Sequence, residues 1–242
     1  MLINVDVKSL EVFVVADLSG DKVLKEELLT PGYDMHSNNE KAFTLPDRVT
    51  AKRFVFKLIY GATAFGYAND PDFFEVSRNS KYWQKVIDAF YEKYRGIALW
   101  HEQLIATAQR QGYLEIPSGT YFPMEPIVSE MGEIRWPVTR IKNYPVQGFG
   151  ADLVKLARIE SLRRIRRELQ QALMIGTVHD SLVADSPEDE AEKCCRILME
   201  SVAKVPELCY NEYGYKFSLP MFSEGFIGPN KNEMKEYKYH AN

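Results

Sequence analysis

The stretch Ala172-Leu173-Met174-Ile175-Gly176-Thr177-Val178-His179-Asp180-Ser181-Leu182-Val183-Ala184 is apolar and β-leaning, with one polar interruption at His179-Asp180-Ser181. A run of this length, broken once by polar residues, reads as a hairpin whose tip presents His179 and Asp180. A second strand, Leu2 to Val7, carries Asp6 and runs directly into a stretch from Ser9 to Leu18 that suits a helix capped by Ser9. A third, from Leu219 to Ile227, precedes a polar, lysine-rich tail. Between these lie patterns for helices after Asp34 to about Phe43, from Arg48 to about Gly61, over 80–112, over 147–170 and from Glu188 to about Val205. Residues 113–138 mix Pro, Gly and β-formers and read as short strands and loops. The order is β-α-α-α-α-ββ-α-ββ-α-β, an α+β fold around a small antiparallel sheet.

Bulk properties narrow the class. At 242 residues, 45% hydrophobic and 26% charged, the chain has the composition of a soluble globular domain or two. No apolar run approaches the roughly 18 residues of a membrane span, and no secretion signal opens the chain. Three cysteines, two of them adjacent (Cys194 and Cys195), suggest reduced structural thiols and a cytoplasmic setting. The net charge of −4 argues against a surface that is basic throughout, as broad nucleic-acid binding would need, but charge is segregated. Lys155, Arg158, Arg163, Arg164, Arg166 and Arg167 cluster, while Glu188, Asp189, Glu190 and Glu192 follow. The plain reading of that basic run is a solvated helix face.

Asp6 and Asp180 each interrupt an apolar β-segment, where an acid is costly unless paired or metal-bound. A lone such Asp is more often a cap or turn residue. Two on central strands raise the reading of a carboxylate pair holding Mg²⁺ for phosphoryl transfer. Arg48, Lys52, Phe56 and Tyr60 recur every four residues, so they drift slowly round one helix face. Two cations and two rings on one stripe can hold a triphosphate and a base; an amphipathic helix with snorkelling cations explains the spacing equally well.

Arg48-Val-Thr-Ala-Lys52-Arg-Phe-Val-Phe56-Lys-Leu-Ile-Tyr60-Gly61 resembles motif B of family A (DNA polymerase I type) DNA polymerases. Asp6 with Glu11 five residues on is similar to motif A, and Val178-His179-Asp180 to motif C. Asp34-Met35-His36-Ser37, the segment ending in Tyr113, and Asn143-Tyr144-Pro145-Val146-Gln147-Gly148 follow in the family's order. The resemblance implies a right-hand polymerase fold without thumb or exonuclease domains: palm over 1–29, a mainly helical fingers subdomain over 30–112, and palm again over 113–242. It implies that Asp6 and Asp180 bind two Mg²⁺ ions, with Mn²⁺ as an alternative, for attack of a primer 3′-hydroxyl on a deoxynucleotide. Arg48, Lys52 and His36 would meet the triphosphate. Tyr60 would stack near the nascent pair, Glu11 would exclude a ribose 2′-hydroxyl, and Phe56 would disfavour dideoxynucleotides. Asn143, Gln147 and His179 would contact primer–template DNA.

Two departures stand out. Ser181 occupies the place where motif C carries Glu, and Val12-Phe13 follow Glu11 where motif A continues Leu-Arg. His-Asp-Ser is similar also to motif C of phage-type single-subunit RNA polymerases, although Glu11 favours deoxynucleotides. The motif A aspartate comes sixth in the chain, whereas family members carry a thumb and further palm before it. The expectation is therefore a split polymerase, as in a bacteriophage genome, or a fragment. A partner chain would supply the thumb and an exonuclease, and the host cytoplasm would be its location if phage-encoded. The alternative is a non-catalytic polymerase-like subunit that binds primer–template DNA or a partner chain.

Overall fold

The computed structural model describes residues 1–128 and 132–238. In chain order these form β1 (Leu2–Val7), α1 (Leu10–Ser19), α2 (Lys22–Leu29), α3 (Met35–Ala42), α4 (Arg48–Ile59), α5 (Ala64–Ala68), α6 (Ser80–Lys93) and α7 (Arg95–Gln111). Four short strands follow, β2 (Tyr113–Glu115), β3 (Tyr121–Pro123), β4 (Ile127–Val128) and β5 (Ile134–Arg135), then the long helix α8 (Val138–Glu168). The chain continues with β6 (Leu173–Val178), β7 (Ser181–Asp185), α9 (Glu188–Ala203), α10 (Val205–Tyr213), β8 (Ser223–Gly228) and β9 (Lys235–Tyr237). Contacts divide it into two compact units: 1–14, 117–119 and 147–242 make one, and 15–116 with 120–146 the other. No helix among the described residues is long and apolar enough to cross a membrane.

The first unit is built on an antiparallel sheet in the order β6-β7-β1-β8-β9. Strand β1 is central because Ile3, Val5 and Val7 are buried on one face, against α9. Its opposite face carries Leu2, Asn4 and Asp6, each half-buried, as strand alternation requires. Glu190, in the first turn of α9, accepts from the backbone N–H groups of Gln170, Gln171 and Ala172 at 2.8, 3.1 and 3.0 Å, fixing where β6 begins.

The helical unit has an aromatic core. Trp83, Tyr67, Phe54, Phe73 and Phe90 are buried, with Tyr67 and Trp83 rings 5.0 Å apart and the Tyr67 hydroxyl donating to the Phe54 carbonyl at 2.6 Å. These contacts hold α4 by Phe54, Val55, Leu58 and Ile59, which leaves Arg48 and Lys52 outside. Asp21, almost fully buried, bonds two helix starts at once. Its Oδ1 accepts from Leu24 N in α2 (2.9 Å), and its Oδ2 accepts from Gly96 N (2.7 Å) and Ile97 N (3.3 Å) in α7.

Several boundaries differ from those the sequence suggested. Helix α8 starts at Val138, nine residues earlier than expected, and runs through Pro145. An interior Pro forfeits one helical hydrogen bond. Here Ile141 is buried with Ala108, Leu114 and Met124, and this packing holds the early turns. Residues 80–112 form two helices, broken where Tyr94 leaves helical geometry and Gly96 comes against Asp21. Ser9 starts α1 through its carbonyl, which accepts from Val12 and Phe13, and it takes a left-handed φ of 49° rather than the extended backbone of an ordinary N-cap. Helices α2 and α10 and strand β9 lie in segments the sequence reading left without regular structure, and β8 begins four residues after Leu219.

A Cβ on Gly96 would sit 2.6 Å from Asp21 Cα, so there is no room for a methyl group. Gly96→Ala is expected to lower stability by about 1–3 kcal/mol in urea unfolding, the usual cost of overpacking. A change under about 0.5 kcal/mol would mean that the close approach does not constrain the fold.

Candidate active site

In the sheet unit, β1 places Asp6 between two neighbours, opposite Ser181 of β7 on one side and Glu224 of β8 on the other. Directly opposed residues in antiparallel strands share a face, so all three side chains point the same way. Ser181 Oγ donates to Asp6 Oδ1 at 2.6 Å. Glu224 pairs with Lys8 at 2.7 Å. Asp180 arrives from the β6–β7 turn, and its carbonyl accepts from Val7 N at 3.2 Å. The two-residue turn requires a left-handed backbone, which His179 supplies with φ 55° while its side chain stays exposed.

Burial pushes the Asp180 carboxyl above the ordinary carboxylate range, and the neighbouring charge of Asp6 pushes it further. The sheet thus brings together two acids 174 positions apart in sequence, at an electrostatic cost. Among the described residues, no group of three or more His, Cys, Asp or Glu side chains is gathered to hold a metal ion. Two crowded carboxylates still fit a divalent cation, since hard oxygen donors suit Mg²⁺, which keeps several of its ligands as water or substrate. Glu11 lies half-buried in the first turn of α1.

In the helical unit, α3 and α4 gather His36, Arg48, Lys52 and Phe56. Asp34 caps α3, accepting from His36 N (3.0 Å), Ser37 N (3.3 Å) and Ser37 Oγ (2.9 Å), and its Oδ2 also takes Arg48 Nε at 2.5 Å. That guanidinium is the main reason the Asp34 carboxyl lies far below its usual range. The His36 ring lies 6.0 Å from that of Phe56, and burial, reinforced by Arg48 and Lys52, lowers its pKa to about 4. It is neutral at pH 7, and its Nδ1 is buried without a partner among the described residues. Lys52 Nζ lies 5.8 Å over the Phe56 ring.

The stripe Arg48-Lys52-Phe56-Tyr60 passes from exposed cations to half-buried rings, ending at the helix C-cap. Steps of four residues rotate about 40° each, which carries the row from solvent toward the core. On α8, Asn143 is half-buried, its Oδ1 without a partner among the described residues, while Gln147 is exposed. The sequence reading missed Asp34 as the partner of Arg48 and Glu224 as the neighbour of Asp6. A capping Asp before a helix was visible for the first, but nothing local marks the second, because register is a tertiary property.

The sequence model for DNA polymerase family A matches residues 1–233, and the chain belongs to that family. It is 28% identical over 237 residues to DNA polymerase I of Chloroflexus aurantiacus, covering 95% of this chain and 24% of that protein. It is 27% identical over 245 residues to the thermostable DNA polymerase I of Thermus aquaticus, covering 98% of this chain and 27% of that one. The chain therefore spans about a quarter of the length of these relatives. A structure of the POL domain of Pol1 from M. smegmatis, in complex with DNA primer-template and dNTP, matches with a TM-score of 0.71 at 20% identity. That match covers 94% of this chain and 39% of the other, and it establishes the fold.

Repulsion between Asp6 and Asp180 should be relieved in Asp180→Asn. A carboxyl with a raised folded-state pKa favours folding at pH below its unfolded value and loses that contribution as pH rises through the folded value. The metal-free variant should therefore melt above wild type at pH 7, with the gap narrowing as pH falls through about 4, where carboxylates protonate. Equal melting temperatures at both pH values would show that the two acids do not interact.

Proposed function

We propose that this chain is the nucleotidyl-transfer part of a template-directed DNA polymerase, extending a primer 3′-hydroxyl with deoxynucleotides. The observation that carries the reading is the pairing of Asp6 with Asp180 on one sheet, with the Asp180 carboxyl pushed up beside it. Two such carboxylates, both ionised, repel each other until a cation balances them or one takes up a proton. Asp6 and Asp180 would hold two Mg²⁺ ions, or Mn²⁺ in their place. When bound, these would lower the pKa of the attacking hydroxyl and offset charge on the transferred phosphoryl group.

The chain's own residues do the rest. Arg48 and Lys52 meet triphosphate oxygens through charge-assisted hydrogen bonds, with Asp34 giving up the guanidinium as they do. His36, neutral at pH 7, can donate one N–H to a phosphate oxygen without adding charge. Phe56 and Tyr60 supply ring surface for the sugar and base, and Glu11 excludes a 2′-hydroxyl. Asn143, Gln147 and His179 contact the primer–template.

The division into palm (1–29 and 113–242) and fingers (30–112) belongs to this proposal; the helical unit drawn by contacts also takes in 15–29, 113–116 and 120–146. A partner chain supplying a thumb is supported by edge strand β6, where Leu173, Ile175 and Val178 are more than half exposed. A phage origin and a cytoplasmic location are parts of the same reading.

The purified chain with Mg²⁺, deoxynucleotides and primed template should extend the primer. Asp180→Ala should slow extension on the order of 10²–10³-fold, the scale for losing one preorganised charge-stabilising group. Extension that survives Asp180→Ala would overturn the assignment. A folded chain that binds primed template but never extends it would favour the non-catalytic subunit, which Ser181 and the net charge of −4 also favour. In the same assay Glu11→Ala should admit ribonucleotides; unchanged exclusion would remove Glu11 from the gate.

A further inference from the structure

Helix α8 carries a stripe that starts at Gln147 and continues well past the residues assigned to the active site. Gln147, Ala151, Lys155, Arg158, Leu162 and Arg166 follow at intervals of three or four along it. At 3.6 residues per turn they stay within roughly 100° of one another. All are exposed except half-buried Leu162, and Arg163 stands exposed beside them. Phe149, Leu153 and Leu156 are buried on the other side.

A basic run is often no more than a solvated face, but such faces usually interleave acids with bases. Here the acids of this part of α8 are already paired, one of them with Lys155 of the stripe itself. Asp152 is buried and takes Lys155 and Ser118, Glu160 takes Lys204, and Glu168 takes Arg164 and Arg167. None lies among the stripe residues. Arg158, Arg163 and Arg166 have no ion pair among the described residues. A chain of net charge −4 thus keeps three guanidinium groups without an ion pair on the exposed part of this helix, Arg158 and Arg166 within the stripe and Arg163 at its edge beside Glu160 and Glu212.

We propose that this stripe is a track for the phosphate backbone of the primer–template duplex, entered at Gln147. The inference rests on the proposed function, in which Gln147 touches the duplex. At about 1.5 Å per residue, Gln147 and Arg166 stand roughly 28 Å apart along the helix. Duplex DNA advances about 3.4 Å per base pair, so the track corresponds to about eight base pairs. The guanidinium groups take successive phosphates without reading sequence.

The test is anisotropy binding of primed templates with about 4 or about 12 base pairs of duplex, across a salt series. Wild type should bind the longer duplex more tightly. Combined replacement of Arg158, Arg163 and Arg166 by Gln should abolish that gain. It should also make the slope of log K against log salt shallower by about 2.7, from about 0.9 per phosphate contact, with thermal melting unchanged. A triple variant that keeps the wild-type length gain and salt slope overturns the track while leaving the polymerase reading intact. Failure of wild type to bind either duplex overturns both. If the substitutions weaken binding of poly-aspartate but not of duplex, the face serves an acidic polypeptide and the proposal falls.

Discussion

Antiparallel pairing of β1 on both edges is the constraint from which the rest of the sheet unit follows. With β7 on one side and β8 on the other, every position of β1 has two fixed cross-strand neighbours. A slip by one residue would turn Ile3, Val5 and Val7 away from α9 and bury Asp6 in their place. The same register that fills the core therefore sets the direction of the acid. Asp180 is tied to this arrangement through its backbone, bonded to Val7, so the hairpin tip cannot wander from the strand end.

The helical unit rests on packing of a different kind. Its core is a set of interlocking rings, and the orientation of α4 follows from Phe54 among them. Cations reach solvent on that helix because its other side is committed to Trp83 and its neighbours. Asp21 and Asp34 do comparable work at smaller scale: one carboxylate of Asp21 satisfies backbone donors of two helices, and that of Asp34 satisfies a helix start and the Arg48 guanidinium together.

Much of this was legible in the residues. The β1 strand, the β6–β7 hairpin with His179 and Asp180 at its tip, and α4 from Arg48 follow from local pattern, and an antiparallel sheet was the natural way to close them. What local pattern could not supply was anything decided at a distance. The start of α8 was hidden by Pro145, whose breaking tendency is outweighed by burial of Ile141 against residues more than fifteen positions away. Helix α2 owes its start to Asp21, a residue equally at home in a turn. Glu224 lies opposite Asp6 only because β8 pairs where it does. In the candidate site, residue types and their spacing were readable, whereas partners such as Asp34 for Arg48 and Ser181 for Asp6 were not.

The pairing of Arg48 with Asp34 changes the nature of whatever takes that guanidinium next. The cation is not waiting in a cloud of mobile counterions; it already holds a fixed anion bound to the protein. Under the proposed function, capture of a phosphate at Arg48 would be an exchange of one oxyanion for another, with the displaced carboxylate kept within the fold by Ser37 and the start of α3. Cations shed by the phosphate would be offset in part by those the freed carboxylate attracts, so this contact would add little net counterion release. A phosphate held there would leave with the carboxylate still placed to close on Arg48 again, an arrangement that would favour turnover over retention.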